Sequence, residues 1–371
     1  MSKKTVCITM GTRPEAIKLA PVIRCFQREK DLETKVILTG QHREMVTQVM
    51  ELFGLKADAD LEIMQTKQSL VDITCRSLRG LEKIYKEIKP QLVITQGDTT
   101  TAFAASLGAF YHKIPVAHVE AGLRTDDIYN PFPEEANRRL ISQIAQLHFA
   151  PTMIAVDNLK KSGVTGEIHL TGNTVIDALL SVAANNPACD IPGLDWSQYR
   201  VLLVTVHRRE NWGKPLMDIL RGLEMILNRH KDVAILLPLH RNPIVREPII
   251  QYLGNHERVF LTEPLDYEQL VGAIKRCFFL LTDSGGLQEE APSLGKPVLV
   301  LRETTERPEA ILAGTAKLVG TNPDKILETA SELLSDEGKY RIMAEAINPF
   351  GDGKASERIL EIVKKYLSQV S

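Results

Sequence analysis

Cysteine, net charge and long apolar runs are all scarce in this chain, and each shortage excludes something. The five cysteines, Cys7, Cys25, Cys75, Cys189 and Cys277, are scattered, odd in number and mostly in apolar contexts. That favours reduced core thiols over a disulfide frame. No CxxC or HExxH occurs and the nine histidines show no ligand spacing, so no metal site is expected. With 45 Lys and Arg against 47 Asp and Glu, the net charge is -2. Such a balance gives no field for nucleic acid or an anionic membrane, so any anionic substrate must be gripped by a local cradle. No apolar run is long enough to cross a bilayer, and MSKKTVCITMG enters a strand pattern without signal-peptide character. A cytoplasmic protein is expected.

What is present is a long alternation. At 371 residues the chain exceeds what one core usually covers, so two domains are expected. Apolar runs at residues 6–9, 35–38, 92–95, 116–119 and 147–150 alternate with helical patterns near 15–30, 69–89, 100–112 and 134–146. This is the rhythm of parallel βαβ units. AANNPACDIPGLDW at residues 183–196 interrupts it, and a second series of apolar runs follows at 201–206, 233–237, 258–261, 278–282 and 298–301. The reading is α/β, with two doubly wound Rossmann-like domains, 1–172 and 173–353. The amphipathic segment 354–371, with Ile359, Leu360, Ile362, Val363 and Leu367 as its apolar stripe, is expected to pack back on the first domain.

Six segments follow strand-like runs: GTRPEAIK (11–18), QGDTTT (96–101), HVEAGLRT (118–125), PFPEEANR (131–138), HRREN (207–211) and DSGGLQEE (283–290). In an α/β protein the carboxyl ends of strands are where ligands bind. Ser284-Gly285-Gly286 opens a helix whose N–H groups would face a phosphate, and the ordinary alternative is a tight turn capped by Ser284. Glu290, one helical turn later, could accept from ribose hydroxyls or simply be a surface glutamate. Arg13 follows the first strand and could grip a phosphate with paired bonds. Lys18 and Arg307 are weaker anion clamps. Asp98 reads either as a reacting carboxylate or as a helix N-cap. Glu120 leaves a buried strand before Ala121-Gly122, an unusual place for a carboxylate. Glu134 and Glu135 open a helix after two prolines, and adjacent helical positions diverge by about 100°, so at most one faces the site. His207 ends a strand, where a histidine can move a proton near neutral pH.

These motifs, in this order, resemble the non-hydrolysing UDP-N-acetylglucosamine 2-epimerases of bacteria, from Gly11 to about Gly314. The resemblance implies a glycosyltransferase-B-like fold with two Rossmann-like domains facing a central cleft, the second binding UDP. It also implies reversible conversion of UDP-GlcNAc into UDP-N-acetylmannosamine by elimination and re-addition of UDP, supplying ManNAc for capsule or cell-wall polysaccharide. Carried over position by position, its catalytic group falls on Asp98, Glu120, Glu134 and His207. Its UDP contacts fall on Arg13, Ser284, Gly285, Gly286 and Glu290, with Lys18 and Arg307 near the phosphates. A second, activating UDP-GlcNAc site matches Gln41, His42 and His240, while Glu44 stands where some regulated members have glutamine. No cofactor, catalytic metal or nucleic acid is implied, and a homodimer is. The alternatives are a transferase of the same architecture using a UDP-sugar, a hydrolysing 2-epimerase, and a nucleotide-sugar sensor that binds without turnover.

Overall fold

The computed structural model describes residues 3–41, 43–65 and 68–369. Two compact units emerge, one from Met1–Ala178 with Phe350–Ser371 and the other from Leu179–Pro349.

The first unit holds β1 (Lys4–Met10), β2 (Leu32–Leu38), β3 (Ala59–Asp60), β4 (Leu92–Gln96), β5 (Val116–Val119), β6 (Leu147–Ala150) and β7 (Glu167–Leu170). They pair in the order β3-β2-β1-β4-β5-β6-β7, every pair parallel. Helices Arg13–Gln27, Leu70–Ile88, Thr100–Tyr111 and Glu134–Ile144 lie among the crossovers. Every residue of β4 and β5 is buried, because parallel strands are covered by helices on both faces, and this is why they read as unbroken apolar runs. Helix starts follow local chemistry: Ser69 and Asp72 form a reciprocal cap, and Pro14 lies in the first turn of Arg13–Gln27. The C-terminal helix Ala355–Gln369 belongs to this unit and buries Ile359, Val363 and Leu367. The Asp177 carboxylate accepts from the N–H groups of Ala355 and Ser356 at its start, at 3.2 and 2.7 Å.

The second unit holds β8 (Arg200–Thr205), β9 (Val233–Pro238), β10 (Val259–Thr262), β11 (Phe279–Thr282), β12 (Val298–Val300) and β13 (Ala316–Leu318). Their order is β10-β9-β8-β11-β12-β13, again all parallel. A core of Leu, Ile and Val, including Leu202, Ile219, Leu237 and Leu281, fills this unit.

The α/β class with two doubly wound Rossmann-like units is therefore the observed architecture. In each sheet the strand order reverses beside the first strand, between β1 and β4 and between β8 and β11, and ligands bind outside the carboxyl ends at such a reversal. Strands β3, β7 and β13 escaped the sequence reading. β7 is an edge strand whose residues are exposed or half-buried, so it lacks an apolar run. β3 has two residues and β13 three. Among the described residues, no helix is long and apolar enough to cross a membrane.

Candidate active site

In the first unit the turn after β1 is closed by Glu15. Its buried carboxylate accepts from the N–H groups of Gly11 and Thr12 at 2.8 and 2.7 Å and from the Thr99 hydroxyl at 2.6 Å, while burial pushes its carboxyl up. This fixes Arg13 at the first helical position, half-buried. Its guanidinium has no hydrogen bond or ion pair to any described residue.

Glu120 follows β5 with a φ of 62°, a left-handed conformation that costs a non-glycine residue about 1–2 kcal/mol. Its carboxylate is 6 % exposed as a residue and is held from three sides. Lys18 Nζ lies 2.6 Å from both oxygens, the Gln96 amide donates to Oε2, and the Asn173 amide donates to Oε1 at 3.4 Å. Lys18 is thus no surface lysine: the resemblance set it near phosphates, and the structure puts its ammonium on Glu120. Two residues on, a Cβ on Gly122 would stand 2.3 Å from the Ala155 carbonyl oxygen, so only glycine lets this loop return so close to the helix Met153–Lys161.

Asp98 sits in the turn after β4, where Gly97 takes a φ of 72°. It is not the N-cap. Thr99 is, accepting from the Ala102 N–H, because the glycine turn ends one residue before the helix begins. The Asp98 carboxylate instead pairs with Arg138 Nε at 2.8 Å, and its carbonyl accepts from the Asn137 amide at 2.8 Å. Both donors come from the helix Glu134–Ile144. On that helix Glu135 is fully buried, accepting from the Thr125 N–H and from Arg138 and Arg139 at 3.1, 3.0 and 2.8 Å. Glu134, one residue earlier, is half-buried and bonds no described residue. Beneath the turn, buried His118 bonds the Gly97 carbonyl through Nε2 at 2.7 Å, so that nitrogen is the donor. Burial pulls the ring down to about 4.

In the second unit β8 and β11 pair Thr205 with Thr282, which sets His207 beside Asp283. The fully buried Asp283 carboxylate lies 2.9 Å from His207 Nδ1. Burial alone would raise that carboxyl, but His207 and the N–H groups of Arg208 and His207 outweigh it and hold it below its ordinary value. The His240 ring stacks on His207 with centroids 6.0 Å apart and planes 26° apart. Burial and the neighbouring His207 lower His240.

Ser284 occupies the N-cap position of the helix Gly285–Glu290, yet its side chain makes no cap bond. Gly285 is flanked by guanidinium groups: a Cβ there would stand 3.5 Å from Arg208 Nη2 and 3.8 Å from Arg307 Nη2. Arg307 is anchored by the buried Glu289. Glu290 is buried, takes the Tyr267 hydroxyl at 2.9 Å, and reaches back to 3.7 Å from where a Cβ on Gly286 would lie. It is not a surface glutamate.

In the first unit Lys18 and Glu120 form one pair, and Asp98 is held separately by Arg138 and Asn137, while in the second His207, His240, Ser284–Gly286, Glu290 and Arg307 surround one strand reversal. Gln41 belongs to the first unit, where its Oε1 accepts from the Thr101 hydroxyl at 3.1 Å, and His42 lies outside the described residues. Sequence reasoning overlooked Asp283, Arg208, Gln96, Asn173 and Tyr267. The signal for Asp283 was the first letter of DSGG. Among the described residues no group of three or more His, Cys, Asp and Glu stands where it could hold a metal.

The model of the UDP-N-acetylglucosamine 2-epimerase family matches residues 24–364. The chain is 49 % identical to the UDP-N-acetylglucosamine 2-epimerase of Escherichia coli K12 over 369 residues, covering 97 % of this chain and 98 % of that protein. The Neisseria meningitidis UDP-GlcNAc 2-epimerase, solved bound to UDP-GlcNAc, is 46 % identical with a TM-score of 0.88, covering 97 % of this chain and 100 % of that one. An S. aureus protein solved with UDP is 44 % identical with a TM-score of 0.89, covering 98 % and 97 %.

Proposed function

The chain belongs to the UDP-N-acetylglucosamine 2-epimerase family, and on that premise we propose that it interconverts UDP-GlcNAc and UDP-N-acetylmannosamine by eliminating UDP to a 2-acetamidoglucal and adding it back. The C2 proton is not beside a carbonyl, so a base alone cannot remove it. As the C1–O bond breaks, the sugar becomes oxocarbenium-like and that proton becomes acidic. A base then takes it, leaving a C1–C2 double bond and free UDP. Protonation of C2 from the opposite face, with return of the UDP oxygen to C1, gives the epimer. Nothing is oxidised, so no nicotinamide is needed.

Groups are required on both faces of the sugar, and Asp98, Glu120 and Glu134 supply base and acid. His207, Arg13 and the Ser284–Gly286 turn, through the N–H groups of Gly285 and Gly286, stabilise charge growing on UDP, and Arg307 supports them. Lys18 fixes the Glu120 carboxylate, and Glu290 takes the ribose hydroxyls. The observation that carries the reading is Glu120 itself: a buried, three-sidedly held carboxylate on a left-handed residue at a strand end. Strain of this kind clusters at functional sites.

The finer reading is a cytoplasmic homodimer, activated by a second UDP-GlcNAc at Gln41, His42 and His240, that supplies ManNAc units for polysaccharide. Proton NMR of the protein with UDP-GlcNAc alone in D₂O tests the chemistry. The expected product is UDP-ManNAc deuterated at C2, with slow leakage of 2-acetamidoglucal and UDP. Full retention of the C2 proton would exclude this exchange. Stoichiometric free ManNAc would identify hydrolysis, and inertness without an acceptor would point to a transferase.

A further inference from the structure

We propose that Asp283 is a positioning residue for His207, holding a proton on its Nδ1 so that Nε2 is the nitrogen that meets the UDP phosphate. This rests on the reading of His207 as a catalytic group. An ionised carboxylate can only accept, so across the 2.9 Å contact between Asp283 Oδ1 and His207 Nδ1 the ring must donate. The surroundings keep Asp283 ionised, since its carboxyl is held below its ordinary value.

The other carboxylate oxygen is committed elsewhere. Oδ2 accepts from the N–H groups of His207 and Arg208, each at 2.9 Å, and from the Asn211 amide at 3.0 Å. Asn211 is itself fixed, donating to the Leu301 carbonyl at 3.0 Å. Asp283 therefore cannot swing away from the imidazole. The His240 ring stacks on His207, with its own Nδ1 accepting from the Asn242 N–H at 3.2 Å, and the adjacent Arg208 guanidinium lies 3.7 Å from Glu306. Neither replaces the Asp283 contact at Nδ1. With Nδ1 donating to Asp283, Nε2 faces the phosphate: the doubly protonated ring gives its Nε2 proton to the departing phosphate oxygen, keeps the Nδ1 proton, and takes the other back when the C1–O bond re-forms.

The donors around Oδ2 also dictate what Asp283→Asn would do. Three N–H groups demand an acceptor, so the amide oxygen must take the Oδ2 position and its NH₂ must face His207. Nδ1 is then forced to accept, the proton sits on Nε2, and the ring cannot hold both protons. The substitution keeps shape and reverses the tautomer.

Two measurements on the intact protein test this. Nitrogen NMR of ¹⁵N-histidine-labelled protein, with His207 assigned by its loss in His207→Gln, is expected to show a proton on Nδ1. Asp283→Asn is expected to lower kcat on the order of 10²–10³-fold while UDP affinity stays within about threefold. In a His207→Gln background it should cost less than about twofold more. A proton on Nε2 alone in the unsubstituted protein, or equal losses from Asp283→Asn with and without His207, would overturn the proposal. The NMR result needs no variant of Asp283 to fold. Full activity of His207→Gln would instead overturn the reading of His207, and the catalytic part of this proposal with it.

Discussion

At Glu134 and Glu135 the same side chain stands in two electrostatic settings one residue apart. Glu135 is fully buried between Arg138, Arg139 and the Thr125 N–H, so Glu135→Gln removes charge from a buried ion network and should destabilise by a few kcal/mol, read as a fall in Tm. Glu134→Gln should leave Tm unchanged and lower kcat at least about 100-fold, as should Asp98→Asn and Glu120→Gln. Equal loss of kcat in folded Glu134→Gln and Glu135→Gln would sink that division. Arg13→Ala and Glu290→Ala should act mainly on UDP affinity, checked by calorimetry, and normal binding in both would remove them from the site. Helical geometry made it legible that the two glutamates face different ways, but the choice of Glu134 came from the resemblance. The role of Asp283 was not legible, because it depends on the pairing of β8 with β11, which brings Asp283 to His207, 76 residues away in the chain.

Strands β5 and β6 carry a second consequence. They pair His118 with His148, and both rings are buried. Burial lowers His118 to about 4 and His148 to about 3. Folding therefore keeps both neutral, whereas the unfolded chain protonates them below about 6.5. The unfolded state binds more protons in that window, so stability rises with pH there. It should be complete above about 6.5 and fall as pH drops toward about 4, by a few kcal/mol across the window. Urea midpoints at pH 7.5 and 5.0 measure this, and His148→Leu should flatten the difference. An unchanged slope in that variant would place the acid sensitivity elsewhere. These elements show why some of the fold was readable and some was not. Interior strands such as β4 are apolar because both faces are covered, while edge strand β7 carries no such pattern. His118 looked like part of a motif, yet its ring supports the Gly97 turn from below.

The chain as a whole leaves its first unit after Ala178 and re-enters it at Phe350, so the first unit depends on the last residues of the chain. Ile359, Val363 and Leu367 are buried there, and at about 1.5–3 kcal/mol for each fully buried side chain their loss is comparable with the whole stability of a domain, about 5–15 kcal/mol. The returning segment also reaches the candidate site through Asn173. The Phe350 carbonyl accepts from the Asn173 N–H at 2.7 Å, and the Asn173 amide donates to Glu120. Deleting Phe350–Ser371 should therefore abolish turnover and remove the first unit's unfolding transition in calorimetry. Leu179–Pro349 keeps its own sheet and core, so its transition should survive, and UDP should still raise it by mass action. Asp177→Asn, which weakens the acceptor for Ala355 and Ser356, should lower the first transition without abolishing it, by about 1 kcal/mol as for a weakened helix cap. A truncated protein that still epimerises would show that the C-terminal helix is dispensable and that Asn173 needs no support from Phe350 to hold Glu120.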